Sequence, residues 1–138
     1  MSARATVEDY YEALRRGEPL YPYFDAEADV VKFGVGETLV GYDDVAEGLR
    51  EQTRTTTDWT VESDALRVVE REKHAAFSDD VRMAWTDTES DADHDFETRW
   101  SGTLERRPTD DDPDADPETD EWVFLGMHVS VAHDGERE

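Results

Sequence analysis

The longest uninterrupted apolar run in this chain, residues 122–131, constrains its fold more than any other stretch. No Asp, Glu, Lys or Arg interrupts the run, and its content of Trp, Val and Phe favours a β-strand. A strand that is apolar on both faces is typical of the interior of a sheet. A strand with one solvent-exposed face instead alternates apolar and polar residues. The run therefore predicts a central strand.

Alternate side chains of a strand point to opposite faces of the sheet. One face of the predicted strand is wholly aliphatic and consists of Val123, Leu125, Met127, Val129 and Val131. The other face mixes aromatic rings with a glycine, an imidazole and a hydroxyl, and consists of Trp122, Phe124, Gly126, His128 and Ser130. We predict that the mixed face lines a pocket and that the aliphatic face packs against a neighbour.

Charge is the most unusual property of the composition. The 138 residues include 37 acidic and 14 basic ones, which gives a formal net charge of -23, and only Lys32 and Lys73 are lysines. Such a charge opposes binding to nucleic acid or to an anionic membrane, since both need a cationic surface. Two interpretations stay open, a basic partner and adaptation to a salty cytosol. Scarce lysine and acid spread along the whole chain favour the second, so we predict a halophilic source.

Several classes of site are not expected. The chain has no cysteine, which excludes disulfides and thiolate metal sites. Its four histidines lack the i, i+4 spacing of a helical metal pair, and no phosphate-binding or dinucleotide fingerprint occurs, so we expect no metal and no cofactor. The absence of an apolar signal core and of a run of about 20 apolar residues predicts a soluble, cytoplasmic protein that does not enter membranes.

Hydrophobic periodicity predicts helices first and long strands afterwards. Thr6 is the predicted N-cap of a helix whose apolar stripe is Val7, Tyr10, Tyr11 and Leu14. The predicted helices span residues 6–16 and 43–53, and the predicted strands span residues 29–34, 37–41, 58–70, 74–86, 94–107 and 122–131. We predict an acidic loop at 108–120 and a frayed tail at 134–138. This order indicates one α+β domain over residues 1–138, with helices packed on one face of a curved antiparallel sheet.

Local phrases in the same order resemble the SnoaL-like branch of the nuclear transport factor 2-like superfamily. They are Tyr10-Tyr11-Glu12-Ala13-Leu14 with Gly17-Glu18, Phe24 with Ala28-Asp29-Val30-Val31, Gly41, Thr98-Arg99-Trp100-Ser101, and Trp122 with His128-Val129-Ser130. The resemblance covers about residues 5–133. It implies a cone-shaped fold in which a strongly bent antiparallel sheet wraps around helices and encloses a pocket. It also implies frequent homodimers through the sheet, which the aliphatic face of residues 122–131 would suit.

The superfamily includes ketosteroid isomerase, which uses an Asp base together with a Tyr and a protonated Asp as donors to an oxyanion. The resemblance places the tyrosine at Tyr10, seven residues before Gly17, and the base at Lys32. The second acid falls near Trp100 or Ser101. Neither position holds a carboxylate, so the proton-transfer machinery of that isomerase is not reproduced.

The candidate site has seven members. The predicted proton-transfer pair is Tyr10 and His128, and the predicted ligand-binding residues are Lys32, Trp85, Arg99, Phe124 and Ser130. A buried arginine needs an anionic partner. Arg99 therefore either binds a substrate carboxylate or phosphate, or forms an internal ion pair or lies at a solvated edge. For Tyr10, Trp85 and His128 a purely structural role stays open.

Three functions stay open. The first is a dimeric pocket protein that binds a small apolar or anionic organic molecule. The second is a lyase, isomerase or cyclase that uses Tyr10 and His128, and the third is a structural dimerisation domain. An apolar pocket with few polar groups and no evident acid–base pair favours the first.

Overall fold

The computed structural model describes residues 2–27, 29–107 and 121–131. Its elements are α1 (Ala3–Arg16), a 3-10 turn (Tyr21–Tyr23), β1 (Val31–Gly34), β2 (Glu37–Val40), α2 (Tyr42–Thr55), β3 (Thr56–Ser63), β4 (Arg67–Glu70), β5 (His74–Asp87), β6 (Asp93–Arg107) and β7 (Glu121–Val131). The acidic loop predicted at 108–120 and the tail predicted at 134–138 lie outside the described residues. Among the helices of the described ranges, none is long and apolar enough to cross a membrane.

Helix α1 packs one apolar stripe against the sheet. The buried stripe contains the residues predicted from their spacing, Val7, Tyr10, Tyr11 and Leu14. The helix begins three residues earlier than predicted, because Ser2 rather than Thr6 is its N-cap. Ser2 Oγ accepts a hydrogen bond from the Ala5 N–H at 3.1 Å and so satisfies a free donor of the first turn. Gly17 ends the helix in the left-handed region, at φ 69°.

The seven strands form one curved, open sheet in the order β2-β1-β7-β6-β5-β3, and β4 also pairs with β5. Strand β7 lies between β1 and β6, which confirms that the long apolar run is a central strand. The pairings are antiparallel, as predicted, except that β1 runs parallel to β7. Parallel neighbours need a long connection, and most of the chain separates these two strands.

The strand predicted at 58–70 is two strands in the structure. Strand β3 ends at Ser63, β4 begins at Arg67, and the two pair with successive parts of β5. The Ala65 N–H between them donates to Oδ1 of Asp79 at 2.9 Å. A side chain of β5 therefore takes the place of a ladder partner at the break between the two strands.

A β-bulge interrupts the pairing of β7 with β6. Thr103 pairs with Gly126, but the next residue of β6, Leu104, pairs with Phe124. Leu125 is thus the extra residue of the bulged strand. One extra residue shifts the alternation of side chains by one position. Even-numbered residues before the bulge therefore face the same side of the sheet as odd-numbered residues after it.

The bulge makes the predicted division of the two faces wrong. Phe124 before the bulge and Met127 and Val129 after it are all buried in the core. His128 is exposed and, with Ser130, lies on the outer face. The His128 side chain does not point into the pocket. The uniform aliphatic face that we predicted as the homodimer interface does not form.

Candidate functional site

A cavity of about 270 Å³ lies between the inner face of the sheet and the two helices. Its aromatic and aliphatic lining consists of Tyr10, Leu14, Val35, Trp59, Met83, Trp85, Trp100 and Val129. Its polar lining consists of Lys32, Glu37, Glu51, Gln52, Thr55 and Thr56. A mainly apolar wall with a few polar groups is typical of sites for small organic molecules.

The residues at the floor of the cavity lie on the inner face of the sheet because side chains alternate along each strand. Met83 and Trp85 share the inner face of β5, as their spacing predicted, and Trp100 of β6 pairs with Val129 of β7. The Trp100 indole N–H donates to Thr98 Oγ1 at 2.9 Å. Since its only donor is already used, Trp100 offers the cavity apolar ring surface alone.

Two stacked indoles line the side of the cavity near the end of α2. The ring centroids of Trp59 and Trp85 are 4.7 Å apart, with 18° between the ring planes. A register shift in β3 and a left-handed backbone at Asp58, φ 57°, lie next to Trp59 and set its direction. The Trp59 indole N–H donates to Thr56 Oγ1 at 2.9 Å. The stack therefore also presents flat apolar surface.

One ion pair is set into this wall. Lys32 is 5% exposed, and its Nζ donates to Glu37 Oε1 at 2.6 Å. Both residues belong to the β1–β2 hairpin, where Gly34 pairs with Glu37. The carboxylate folds back across Gly34, and a Cβ there would lie 2.5 Å from Oε1. A buried ammonium without a partner is costly, so Glu37 compensates the charge of Lys32 inside the cavity.

Tyr10 supplies a free hydroxyl. Its ring is 1% exposed and contacts Trp100 and Phe124 edge-on, with centroid distances of 6.2 and 5.3 Å. Within the described part of the chain the hydroxyl makes no hydrogen bond. Burial, and then the negative charge of Glu37, raise the pKa of Tyr10 well above its ordinary value. The hydroxyl therefore keeps its proton at neutral pH and can donate it to an acceptor in the cavity.

The structure brings three of the seven predicted site residues together. Tyr10, Lys32 and Trp85 all line the cavity. Phe124 is fully buried and does not line it; its ring packs against Tyr10 and, at 5.7 Å between centroids, against Phe77. Phe124 thus supports the cavity wall from behind.

The remaining three predicted residues lie on the opposite face of the sheet. The bulge at Leu125 turns His128 and Ser130 outward, and Arg99 pairs with Ser130 and points the same way. Arg99 Nη2 donates to Ser130 Oγ at 3.3 Å. The prediction that these three line the pocket is wrong, and a ligand in the cavity cannot contact Tyr10 and His128 together.

Sequence reasoning missed Glu37. The sequence feature that could have identified Glu37 was the short turn of the β1–β2 hairpin. Val35 and Gly36 are the two central residues of this turn, so Gly34 pairs with Glu37. Side chains 32, 34 and 37 then share one face, and a diagonal neighbour lies within reach of a long side chain such as Lys32. The family resemblance placed Lys32 where the isomerase has its base, and the Glu37 carboxylate lies 2.6 Å from the Lys32 ammonium.

The polar groups of the cavity are suited to hydrogen bonding and proton transfer. They include the hydroxyl of Tyr10, the ammonium of Lys32 and the carboxylate of Glu37, besides the polar side chains of Glu51, Gln52, Thr55 and Thr56. In the ranges that the structure describes, no three or more His, Cys, Asp or Glu side chains come together to hold a metal ion.

Solved structures share this architecture. The chain superposes on a proposed dehydratase of the nuclear transport factor 2-like family from Streptomyces avermitilis with a TM-score of 0.74 and 15% identity, covering 94% of this chain and 93% of that one. For a ketosteroid isomerase-like protein from Erwinia carotovora atroseptica the TM-score is 0.71 and the identity 17%, covering 95% and 94%. For a nuclear transport factor 2-like superfamily protein from Salmonella enterica serovar Typhimurium the values are 0.76 and 16%, covering 97% and 92%. These likenesses show the α+β cone fold.

In sequence, no curated protein shows significant similarity to the chain. Residues 3–134, nearly the full length, match the family model described as the SnoaL-like domain. The match confirms the resemblance that the local phrases suggested. The chain belongs to the SnoaL-like domain family.

Proposed function

We propose that this protein binds a small, planar, largely apolar organic molecule with one acceptor oxygen, such as a ketone, that receives a hydrogen bond from Tyr10. The supporting observation is the Tyr10 hydroxyl, which has no hydrogen-bond partner among the described residues, at the wall of a mainly apolar cavity. The hydroxyl borders the open space of the cavity, so a ligand oxygen there can accept its hydrogen bond in place of water. The flat surface of the Trp59–Trp85 stack favours a planar ligand.

Charge favours a neutral ligand over an anion. In the part of the wall that the structure describes, Lys32 is the only cationic side chain, and Glu37 compensates it. Glu51 also lines the cavity and is paired with Arg54. The net charge of -23 adds a long-range field that repels anions. Of the apolar and anionic ligands expected from the sequence, the apolar class is the better fit.

A second candidate function is proton transfer at the carbon next to that carbonyl. The observation that favours it is the Glu37 carboxylate, which lines the same cavity as Tyr10 and whose charge helps to raise the pKa of that hydroxyl. Glu37 would accept an α-proton while Tyr10 donates a hydrogen bond to the enolate oxygen, and a proton would then return to carbon. Solved relatives include a proposed dehydratase and an isomerase-like protein.

Ligand-detected NMR with 2-acetonaphthone, a planar aromatic ketone, tests the binding function. Val129→Phe fills the cavity and should abolish binding. Val69→Phe makes the same change at an exposed position of β4, 52% accessible, and should leave binding unchanged. The carboxylate analogue 2-naphthoate should bind at least about tenfold more weakly, a difference of about 1.4 kcal/mol. Equal binding of the ketone to wild type and Val129→Phe contradicts the proposal.

Deuterium exchange tests the second candidate separately. In D₂O, an enzyme of this kind should speed exchange of the methyl protons of 2-acetonaphthone by at least about a hundredfold, the lower range of general-base catalysis. Glu37→Gln should lose the exchange and keep the binding. Binding without accelerated exchange by the wild-type protein supports the first function and contradicts the second.

A further inference from the structure

We infer that the outer face of the sheet carries a second site, which binds a phosphate group or a similar tetrahedral oxyanion between Arg67, Arg99 and His128. These side chains border a shallow depression on the side of the sheet opposite the cavity. The inference does not depend on the function proposed for the cavity.

Cross-strand register brings the side chains together. Arg67 pairs with Ser78, Ser78 with Ser101, and Ser101 with His128. Because neighbouring strands lie about 4.8 Å apart, these four residues form a row across β4, β5, β6 and β7. Arg99, two residues before Ser101 on the same face of β6, stands beside the row. The bulge in β7 is what adds the imidazole to this surface.

The two arginines differ from Arg82, which forms ion pairs on the same face of the sheet. Arg82, on the same outer face of β5, binds Glu62 and Asp95 at 3.0 and 2.7 Å. Neither Arg67 nor Arg99 forms an ion pair with any residue of the described ranges. Arg50 and Arg71 also form no ion pair within the described ranges, but Arg67 and Arg99 border one depression, where an external anion can contact both guanidinium groups.

The donors around the depression match an oxyanion. Arginine presents forked N–H groups that fit two oxygens of a phosphate. Arg99 already orients the Ser130 hydroxyl, at 3.3 Å, and Ser101 adds a second hydroxyl beside it. His128 contributes a further N–H donor. The exposed ring of Phe33 lies 5.8 Å from the imidazole, where it could contact an organic group attached to the phosphate.

Asp80 opposes the anion. It pairs with Arg99 in the register and faces the depression, yet the two side chains form no ion pair. Its charge and the net charge of the chain weaken binding, so the site is expected to be a weak one in the native sequence. Salt screens the long-range repulsion more than it weakens direct hydrogen bonds.

The test is an amide NMR titration of the full chain in about 1 M KCl with inorganic phosphate and with phenyl phosphate. We expect saturable shifts at residues 67, 99, 101 and 128. Arg67→Gln/Arg99→Gln should weaken binding at least about tenfold, which is about 1.4 kcal/mol, and Asp80→Asn should strengthen it about threefold. Arg82→Gln, which removes one charge from the same face, should stay within about twofold of wild type. Tighter binding of phenyl phosphate identifies a phosphate monoester as the ligand, and equal binding identifies the free ion.

Two results would overturn the inference. Shifts that never saturate, or a loss in Arg82→Gln as large as in the double variant, would show only general attraction to positive charge. The second result has two parts: the wild-type protein binds no phosphate and sediments as a dimer, and Arg67→Gln/Arg99→Gln sediments as a monomer. The depression would then be an interface between two copies. Thermal melting of each variant checks that it is folded.

Discussion

Lys32 Nζ and Glu37 Oε1 lie 2.6 Å apart in a cavity wall that is otherwise largely aromatic and aliphatic. The lysine side chain is 7% exposed and the glutamate side chain 37%, so the ammonium depends on the pair more than the carboxylate does. The contact makes the β1–β2 hairpin part of the cavity and sets a compensated charge beside the Tyr10 hydroxyl.

Glu37→Ala should lower the free energy of unfolding by about 1–3 kcal/mol, because it leaves Lys32 buried without a partner. The partial exposure of Glu37 keeps this below the about 3–5 kcal/mol of a fully buried pair. Lys32→Met/Glu37→Leu removes both charges and should regain most of the loss. Glu62→Ala, which breaks a surface pair with Arg82, should change stability little. Urea unfolding compares the four proteins, and a loss for Glu62→Ala equal to that for Glu37→Ala contradicts this account.

Asp79→Ala should destabilise the fold by about 2–4 kcal/mol, because buried donors lose their acceptor. The Asp79 carboxylate accepts hydrogen bonds from the Tyr11 hydroxyl at 2.8 Å, the Ser63 hydroxyl at 2.6 Å and the Ala65 N–H at 2.9 Å. Asp80→Ala is the matched control at the next, exposed position, and it should change stability little. Similar urea midpoints for the two variants would show that the Asp79 network contributes nothing.

Deletion of Leu125 should prevent the chain from folding at neutral pH. Without the extra residue, β7 would keep one alternation throughout, and either Phe124 or the pair Met127 and Val129 would turn outward. Leu125→Ala keeps the bulge and should remain folded. Circular dichroism distinguishes the two, and a cooperatively folded deletion variant would show that the bulge does not set the faces of β7.

Stability should fall as the pH rises above about 10. Burial is the main cause that raises the pKa of both Tyr10 and Tyr11, and the hydrogen bond to Asp79 raises that of Tyr11 further. A raised pKa in the folded state means that the folded state holds its protons longer than the unfolded one. The stabilisation that these two protonated tyrosines give the folded state is complete below about pH 10, the ordinary tyrosine pKa, and is progressively lost as the pH rises above it. Tyr11→Phe should make the unfolding free energy depend less steeply on pH between about 10 and 11. A stability that rises in that range has the wrong sign for this explanation.

The melting temperature should rise between dilute buffer and about 1 M KCl, where the screening length is about 3 Å. The reason is self-repulsion among the surplus carboxylates of a chain with net charge -23. A halophilic source, which remains a prediction, requires this behaviour. A melting temperature that is unchanged or lower in salt contradicts it.

The fold was largely predictable because its signals are local. The helical spacing of Val7, Tyr10, Tyr11 and Leu14 and the apolar run at 122–131 identified α1 and the central strand. Gly126, next to Leu125, was a signal for the bulge, because an isolated glycine inside a strand often marks one. Only the pairing with β6 shows that the extra residue is Leu125. One unpaired residue then misplaced two of the predicted site residues, His128 and Ser130.

The site was predictable only in part. Tyr10, Lys32 and Trp85 came from the family resemblance and from alternation, and all three line the cavity. Glu37 was missed because its position depends on the register of a hairpin rather than on its own neighbours in sequence. The Trp59–Trp85 stack depends on a register shift in β3 that no local pattern shows.

Intermolecular NOEs between 2-acetonaphthone and the methyl groups of the protein test the central claim most directly. The claim is that the hollow on the inner face of the sheet, beside Tyr10 and the Lys32–Glu37 pair, is the ligand site. It predicts NOEs from the naphthalene protons to the methyl groups of Val129 and Met83. NOEs to the exposed Val40 instead, with none to Val129 or Met83, would place the ligand outside the cavity and contradict the claim.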